Sequence, residues 1–249
     1  MKMRKSMIMA MACTMLLFTS CMEISLNGGL GKKIKASKTM VTRAMTPDAF
    51  DKLNVSAVAN VKFVQSAEEE CRVVMTAPDN YVELFKIESK NGLLDIDYTK
   101  PNINIENKKV SITVYAPQLS KISNTGVAQI ETDSLVAPNL NVDNSGVGNI
   151  QLRGLNVKAV EVECSGVGNI SLKGEADVVK MECSGVGSIQ GADLRARSVE
   201  ADVSGVGGID CFASEAISGE VSGVGSLKYG GHPQSKQLNR SGIGSLKEI

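Results

Sequence analysis

The sequence has no tryptophan, only four tyrosines and five phenylalanines, and a single histidine, His232, in 249 residues. So few aromatic rings leave little to build a sugar-stacking groove. One histidine, placed after Gly230-Gly231, gives no basis for histidine catalysis or a histidine metal site. Charge of one sign is also missing, since 27 Lys and Arg balance 27 Asp and Glu. A nucleic-acid binder needs a basic excess to neutralise phosphates, so that class is set aside. No segment sustains apolar spacing of three and four between helix caps, which removes the helical fold classes. What is abundant is glycine, 24 residues of it.

The chain opens with Lys2, Arg4 and Lys5, followed by an uncharged, mostly apolar stretch over residues 7–18. A basic start and about a dozen apolar residues describe a secretory signal. The stretch is too short to cross about 30 Å of hydrocarbon. It runs into Phe18-Thr19-Ser20-Cys21, which resembles a bacterial lipobox with Phe in place of the usual Leu. Residues 1–20 are therefore expected to be removed, and Cys21 to be acylated and to anchor the chain in a membrane. Residues 21–47, with Asn27-Gly28-Gly29-Leu30-Gly31 and a Lys32-Lys33-Ile34-Lys35 run, read as a tether. Nothing in this stretch decides which face of the membrane the protein occupies.

Residues 48–249 read as one domain, and a repeat dominates its second half. Ser145-Gly146-Val147-Gly148-Asn149-Ile150 recurs with its serine at 165, 184, 204, 222 and 241, and Thr125-Gly126-Val127-Ala128-Gln129-Ile130 is a degenerate first copy. Between motifs the chain alternates with period two: Val160, Val162 and Cys164 fall on one face, Glu161 and Glu163 on the other. Units of about twenty residues cannot bury an apolar face alone, whereas stacked units can. The expected fold is all-β, a parallel β-solenoid of about 20-residue coils, with regular repeats over residues 124–246. Longer irregular coils are expected at the N-terminal end, where Lys52-Leu53-Asn54-Val55-Ser56-Ala57-Val58-Ala59-Asn60-Val61 looks like a repeat with alanines for glycines. Strands are expected near residues 73–78, 93–98 and 110–115, with a short helix or irregular crossing between 81 and 90.

Phe50-Asp51-Lys52-Leu53-Asn54-Val55, Val73-Val74-Met75-Thr76-Ala77-Pro78-Asp79-Asn80, Asn91-Gly92-Leu93-Leu94-Asp95-Ile96 and Val114-Tyr115-Ala116-Pro117-Gln118-Leu119 precede the Ser-Gly-x-Gly-x-Ile coils. In that order the parts resemble the bacterial auto-transporter adhesin family with the head GIN domain. The resemblance covers residues 48–249. It implies an exported lipoprotein with a right-handed β-helix and brings no catalytic motif. The family's usual acid after the second motif glycine is here Asn149, Asn169, Ser188, Gly208, Ser226 or Ser245.

Four columns are candidates for function. Asp143, Glu163, Glu182, Asp202 and Glu220 each lie two residues before a motif serine, so stacking would align them about 4.8 Å apart as a cation or ligand stripe. Neighbouring carboxylates could chelate Ca²⁺; no other cofactor is expected. The motif serines have no accompanying His or Lys column, so they read as a structural ladder rather than nucleophiles. Cys164 and Cys183 occupy equivalent inward positions and are expected to stay free, while Cys71 and Cys211 have no evident partner. Val147, Val167, Val186, Val206, Val224 and Ile243 point outward if the corner keeps strand parity and inward if it flips. Exposed apolar stripes are uncommon, so the core is the expectation.

Together these features describe a non-enzymatic, lipid-anchored protein of the cell envelope, in the outer membrane, acting as an adhesin or surface binding module. Its expected partners are the membrane through the N-terminal lipid and a glycan or protein ligand, with no nucleic acid. Only three residues follow Leu246, so the last coil is expected to offer an unpaired edge for end-to-end self-association. Two rival readings remain: a polysaccharide-acting β-helix enzyme, and a purely structural envelope protein.

Overall fold

The computed structural model describes residues 33–67, 70–106 and 109–249. The stretch expected to be a signal and Cys21, the expected acylation site, lie outside the described residues. Strand makes up 70% of the structure and helix 2%, wound as a parallel β-solenoid of about six turns. No helix among the described residues is long and apolar enough to cross a membrane.

The regular part comprises β8 (Lys121–Asn124), β9 (Val127–Thr132), β10 (Leu135–Asn144), β11 (Val147–Cys164), β12 (Val167–Cys183), β13 (Val186–Val203), β14 (Val206–Val221), β15 (Val224–Gly230), β16 (Ser235–Arg240) and β17 (Ser245–Glu248). Each Ser-Gly pair interrupts the strand once per coil. Within β11 to β14 the strand otherwise bends without ending, helped by register slips such as that between Leu152 and Leu155, where Gly154 holds φ +56°. Equivalent residues stack in parallel register: Val147 on Val167, Ile150 on Ile170, Cys164 on Cys183. The alternation expected from the sequence then fills the interior. Ile150, Ile170, Ile189, Ile209 and Leu227 form one fully buried column. Val162, Met181 and Ala201 form another. Each Ile, Leu, Val or Met among them contributes about 1.5–3 kcal/mol of burial, and stacking lets every coil supply one face of its neighbour's core.

The N-terminal end is wound differently. It contains β1 (Met40–Met45), β2 (Lys52–Val55), β3 (Val58–Gln65), β4 (Arg72–Pro78), β5 (Phe85–Lys90), β6 (Leu93–Tyr98) and β7 (Ser111–Ala116), with the four-residue helix α1 (Asp79–Val82). β2 lies between β6 and β8, and β3 between β7 and β9, all parallel. The earliest coil in the chain is therefore second in the stack, behind one made from residues 93–98 and 111–116. Its Val58 and Ala59 stand in register with Val127 and Ala128, which bears out its reading as a glycine-free repeat. Antiparallel strands then close this end: β5 on β6, β4 on β7, and β1 on β4. The turn between β5 and β6 is Asn91-Gly92, with φ of +52° and +77°, the left-handed pair a tight hairpin requires.

Residues 33–47 are not tether. Ile34 N–H donates to Asn104 O at 2.8 Å, and Met40–Met45 pairs residue for residue with Pro78 back to Val73. β1 covers the outer strand β4 but buries little of itself, so its sequence carries no alternating pattern to betray it. Tyr81 of α1 is wholly buried and donates its hydroxyl to Ile34 O at 2.7 Å, pinning this strap to the end of the solenoid.

Candidate binding surface

The Ser-Gly-x-Gly corner organises the surface. Ser165 and Gly166 N–H both donate to Asn144 O, at 3.2 and 2.9 Å, and Val167 N–H donates to Gly146 O at 2.9 Å. The same three bonds recur one coil on, from Ser184, Gly185 and Val186 to Cys164 O and Gly166 O. The corner is thus stitched to the coil before it by backbone alone. Going round it, Cys164 and Ile170 both face inward, and the alternation between them places Gly166 and Gly168 inside and Ser165, Val167 and Asn169 outside. A Cβ on Gly168 would overlap the carbonyl oxygen of Gly148, and a Cβ on Gly166 that of Gly146. At Gly148 and Gly168 the second glycine also holds positive φ, +135° and +146°.

This geometry corrects one expectation. The valine column is not core: Val127 is 40% exposed and Ile243 87%, with Val147, Val167, Val186, Val206 and Val224 between. The corner keeps strand parity, and its inner side is so tight that it holds only glycine in the regular repeats and alanine at the N-terminal end, so the side chain between them must point out. Seven rungs form an apolar ridge along one edge of the solenoid. At its head, Val58 and Val127 line a cavity of about 590 Å³ together with Lys33, Asn104, Ile105, Glu106 and Lys109.

The columns flanking the ridge carry no charge. On one side stand the exposed motif serines. On the other, amides and hydroxyls bond along the stack: Asn149 Nδ2 donates to Gln129 Oε1 at 3.2 Å, Asn169 N–H to Asn149 Oδ1 at 3.0 Å, and Ser188 Oγ to Asn169 Oδ1 at 2.8 Å. Beyond the serines lies the acidic stripe, in the expected register: Asp143 opposite Glu163, Glu163 opposite Glu182, Glu182 opposite Asp202. Its ends are tied into the protein. Ser123 Oγ donates to Asp143 Oδ2 at 3.2 Å, Glu220 N–H to Asp202 Oδ1 at 2.8 Å, and Ser241 Oγ to Glu220 Oε1 at 2.6 Å. Among the described residues no three or more His, Cys, Asp or Glu converge as a metal cluster.

Inside the corner runs a column that sequence reasoning missed in part. Asn124, Asn144, Cys164, Cys183, Val203 and Val221 occupy successive coils in register. The two asparagines are wholly buried; Asn124 Nδ2 donates to Asn144 Oδ1 at 2.8 Å, and Asn144 Nδ2 to Gly148 O at 3.2 Å. Cys164 and Cys183 take over that second bond, each Sγ donating to the corner carbonyl, Gly168 O and Gly187 O, at 3.5 Å. All four described cysteines are free and buried. Contact with Cys183 and then burial push the Cys164 thiol far up. Burial first, then the charge of Asp210, pushes Cys211 up to about 12. Aligning the repeats would have exposed the asparagines, because they hold the place of the cysteines.

The one histidine sits on the final coil, exposed, with Nδ1 3.2 Å from Glu248 Oε1. Glu248 also accepts from Lys236 Nζ at 2.7 Å and from Tyr229 Oη at 3.3 Å, which clasps β16 and β17 onto β15. Lys236, then His232 and Tyr229, hold the Glu248 carboxyl below its ordinary range, opposed by partial burial.

The model of the family described as putative auto-transporter adhesin, head GIN domain, matches residues 49–233. A crystal structure of a putative adhesin from Bacteroides fragilis is 35% identical, with TM-score 0.84, covering 87% of this chain and 100% of that one. Two more distant structures share the fold. One is a putative adhesin from Parabacteroides merdae, 17% identical with TM-score 0.63, covering 87% of this chain and 99% of that one. The other is a putative lipid binding protein from Parabacteroides distasonis, 19% identical with TM-score 0.68, covering 88% of this chain and 100% of that one. No curated protein matches. With the match spanning both the irregular end and the glycine corners, the chain belongs to the putative auto-transporter adhesin family with the head GIN domain.

Proposed function

We propose that the protein is a non-enzymatic adhesive module of the cell envelope, held to the outer membrane by an acylated Cys21 and presenting its valine ridge to a ligand. The observation that carries this reading is the ridge itself: seven β-branched residues exposed in a line, between columns without charge. Folding alone would favour polar side chains there, and contiguous exposed apolar surface is a mark of interaction sites. The rigid coil beneath, bonded by backbone at every corner, presents the ridge without an ordering cost on binding. Family membership supports the adhesive assignment.

The test is binding of the purified protein to an array of glycans and matrix proteins. Val167→Ser/Val186→Ser/Val206→Ser is expected to weaken any saturable hit about tenfold or more, because apolar anchors at the centre of a contact dominate its energy. Stability should move by only about 0.5 kcal/mol per site, as at most exposed positions. A hit unaffected by these changes would remove the ridge from the binding face, and silence across the array would favour a structural envelope role.

The acidic stripe makes a second, separable prediction. If stacked carboxylates hold Ca²⁺, millimolar Ca²⁺ raises the melting temperature, and the rise disappears in Glu163→Gln/Glu182→Gln. No rise in the unaltered protein would leave the stripe as a solvated face.

A further inference from the structure

We infer that the partner of the valine ridge is the ridge of a second copy of this chain, in a side-by-side, parallel pair; this rests on the adhesive reading above and names its ligand. Three observations lead there. The first is period. The ridge repeats at the coil spacing, about 4.8 Å, whereas an extended peptide presents same-side residues about 6.7 Å apart. Such a peptide falls out of step within two rungs, while another stack of the same coils stays in step over all seven, and identical apolar side chains pack against one another as in a dry zipper.

The second is charge. The columns beside the ridge, Ser145 to Ser241 on one side and Asn149 to Ser245 on the other, are uncharged, so two copies approach without repulsion at the contact. The continuous acidic stripe lies beyond the serines; beyond the amides the column is mixed, with Glu131 and Asp210 among Gln151, Ser171, Gln190 and Lys228. A two-fold axis along the solenoid sets the stripe of one copy opposite the far column of the other, where Gln151, Ser171 and Gln190 stand at the level of Asp143, Glu163 and Glu182, and where Asp210 is paired with Lys228 at 3.5 Å. An antiparallel pair would set stripe against stripe, Glu163 and Glu182 facing the partner's carboxylates, and like charges across an interface are strongly unfavourable. The parallel pair is also isologous and therefore closed.

The third is area. Seven rungs span about 29 Å, and a strip some 12 Å wide buries about 350 Å² per copy, less than half the roughly 800 Å² of a standard stable interface. The pair is weak in free solution. It forms where copies are held together at high local concentration, as on a shared surface.

The experiment uses single cysteines on the ridge and a short bismaleimide on the purified protein at high concentration. Val147→Cys and Val224→Cys variants carrying different tags are expected to cross-link with their own kind, and Val147→Cys not with Val224→Cys. Val178→Cys, equally exposed but on another face, serves as control. Val167→Lys/Val186→Lys is expected to weaken self-association about tenfold or more, read by sedimentation equilibrium. Cross-linking no greater than from position 178, or preferred between positions 147 and 224, would overturn the parallel pair. If the lysine variant loses an array ligand while no self-association is seen, the second copy is refuted and the adhesive reading stands. If it changes neither, both fall.

Discussion

Gly168→Ala is expected to destabilise the protein by about 3–5 kcal/mol, or to prevent folding, the range reserved for substitutions with a defined steric mechanism. One methyl group does this because it meets two obstacles together. The backbone there holds φ +146°, which alanine adopts only under strain. The new Cβ would also overlap the carbonyl oxygen of Gly148, which belongs to the ladder and cannot retreat without parting two coils. The sequence contains its own control. Ala59 and Ala128 stand in this column at the N-terminal end, buried and without positive φ. Ala128→Gly should therefore cost only about 1 kcal/mol, the ordinary price of backbone freedom. Urea unfolding of the two variants checks the contrast. A Gly168→Ala protein within about 1 kcal/mol of the parent would mean that the corner can relax.

The buried asparagine pair yields the second large effect, and its sign depends on how many partners are changed. Asn144→Val leaves Asn124 Nδ2 without its 2.8 Å acceptor in a site with no solvent, and the expected loss is about 1–3 kcal/mol. Asn124→Val/Asn144→Val removes donor and acceptor together. It should be less damaging than the sum of the single changes by about 1 kcal/mol or more, the signature of residues sharing one network. The same column supplies the precedent, since Val203 and Val221 fill it in later coils. A double-mutant cycle that proved additive would show that water or backbone movement satisfies the orphaned amide.

Much of the fold was legible because stacking imposes its demands at every coil. Gly166 and Gly168 recur wherever the corner recurs, and Ile150, Ile170 and Ile189 wherever a face is buried, so period and parity are written repeatedly. The insertion of β2 and β3 between later strands was not legible. Val58 and Val127 are 69 residues apart, and nothing local to either marks the pairing. β1 was misread as tether for a related reason: it borrows its place from β4 and has no buried face to pattern it. The direction of the valine column was available from counting alone, since Cys164 and Ile170 are an even number of residues apart. The general rarity of exposed apolar stripes pointed the other way, and a functional surface is where such a rule is expected to fail. The acidic stripe was predicted in its correct register from spacing. Cation binding depends instead on how the carboxylates converge, which spacing does not specify.

The displaced first coil has a consequence for how the chain reaches its native form. In the repeats each coil joins a neighbour made from the preceding twenty residues or so, a closure that can proceed while the rest of the chain is still emerging. Residues 52–65 must wait: one flank comes from residues 93–116, the other from 121–132. Bringing together segments some 70 residues apart costs about 1 kcal/mol more in chain entropy than a closure of twenty. On closure entropy alone the sealed end is expected to form after the zipper of coils, which would begin in the middle of the molecule. Duplication or loss of a coil can be absorbed among the repeats, where every neighbour is interchangeable, but not at the plug, whose strands are woven through one another.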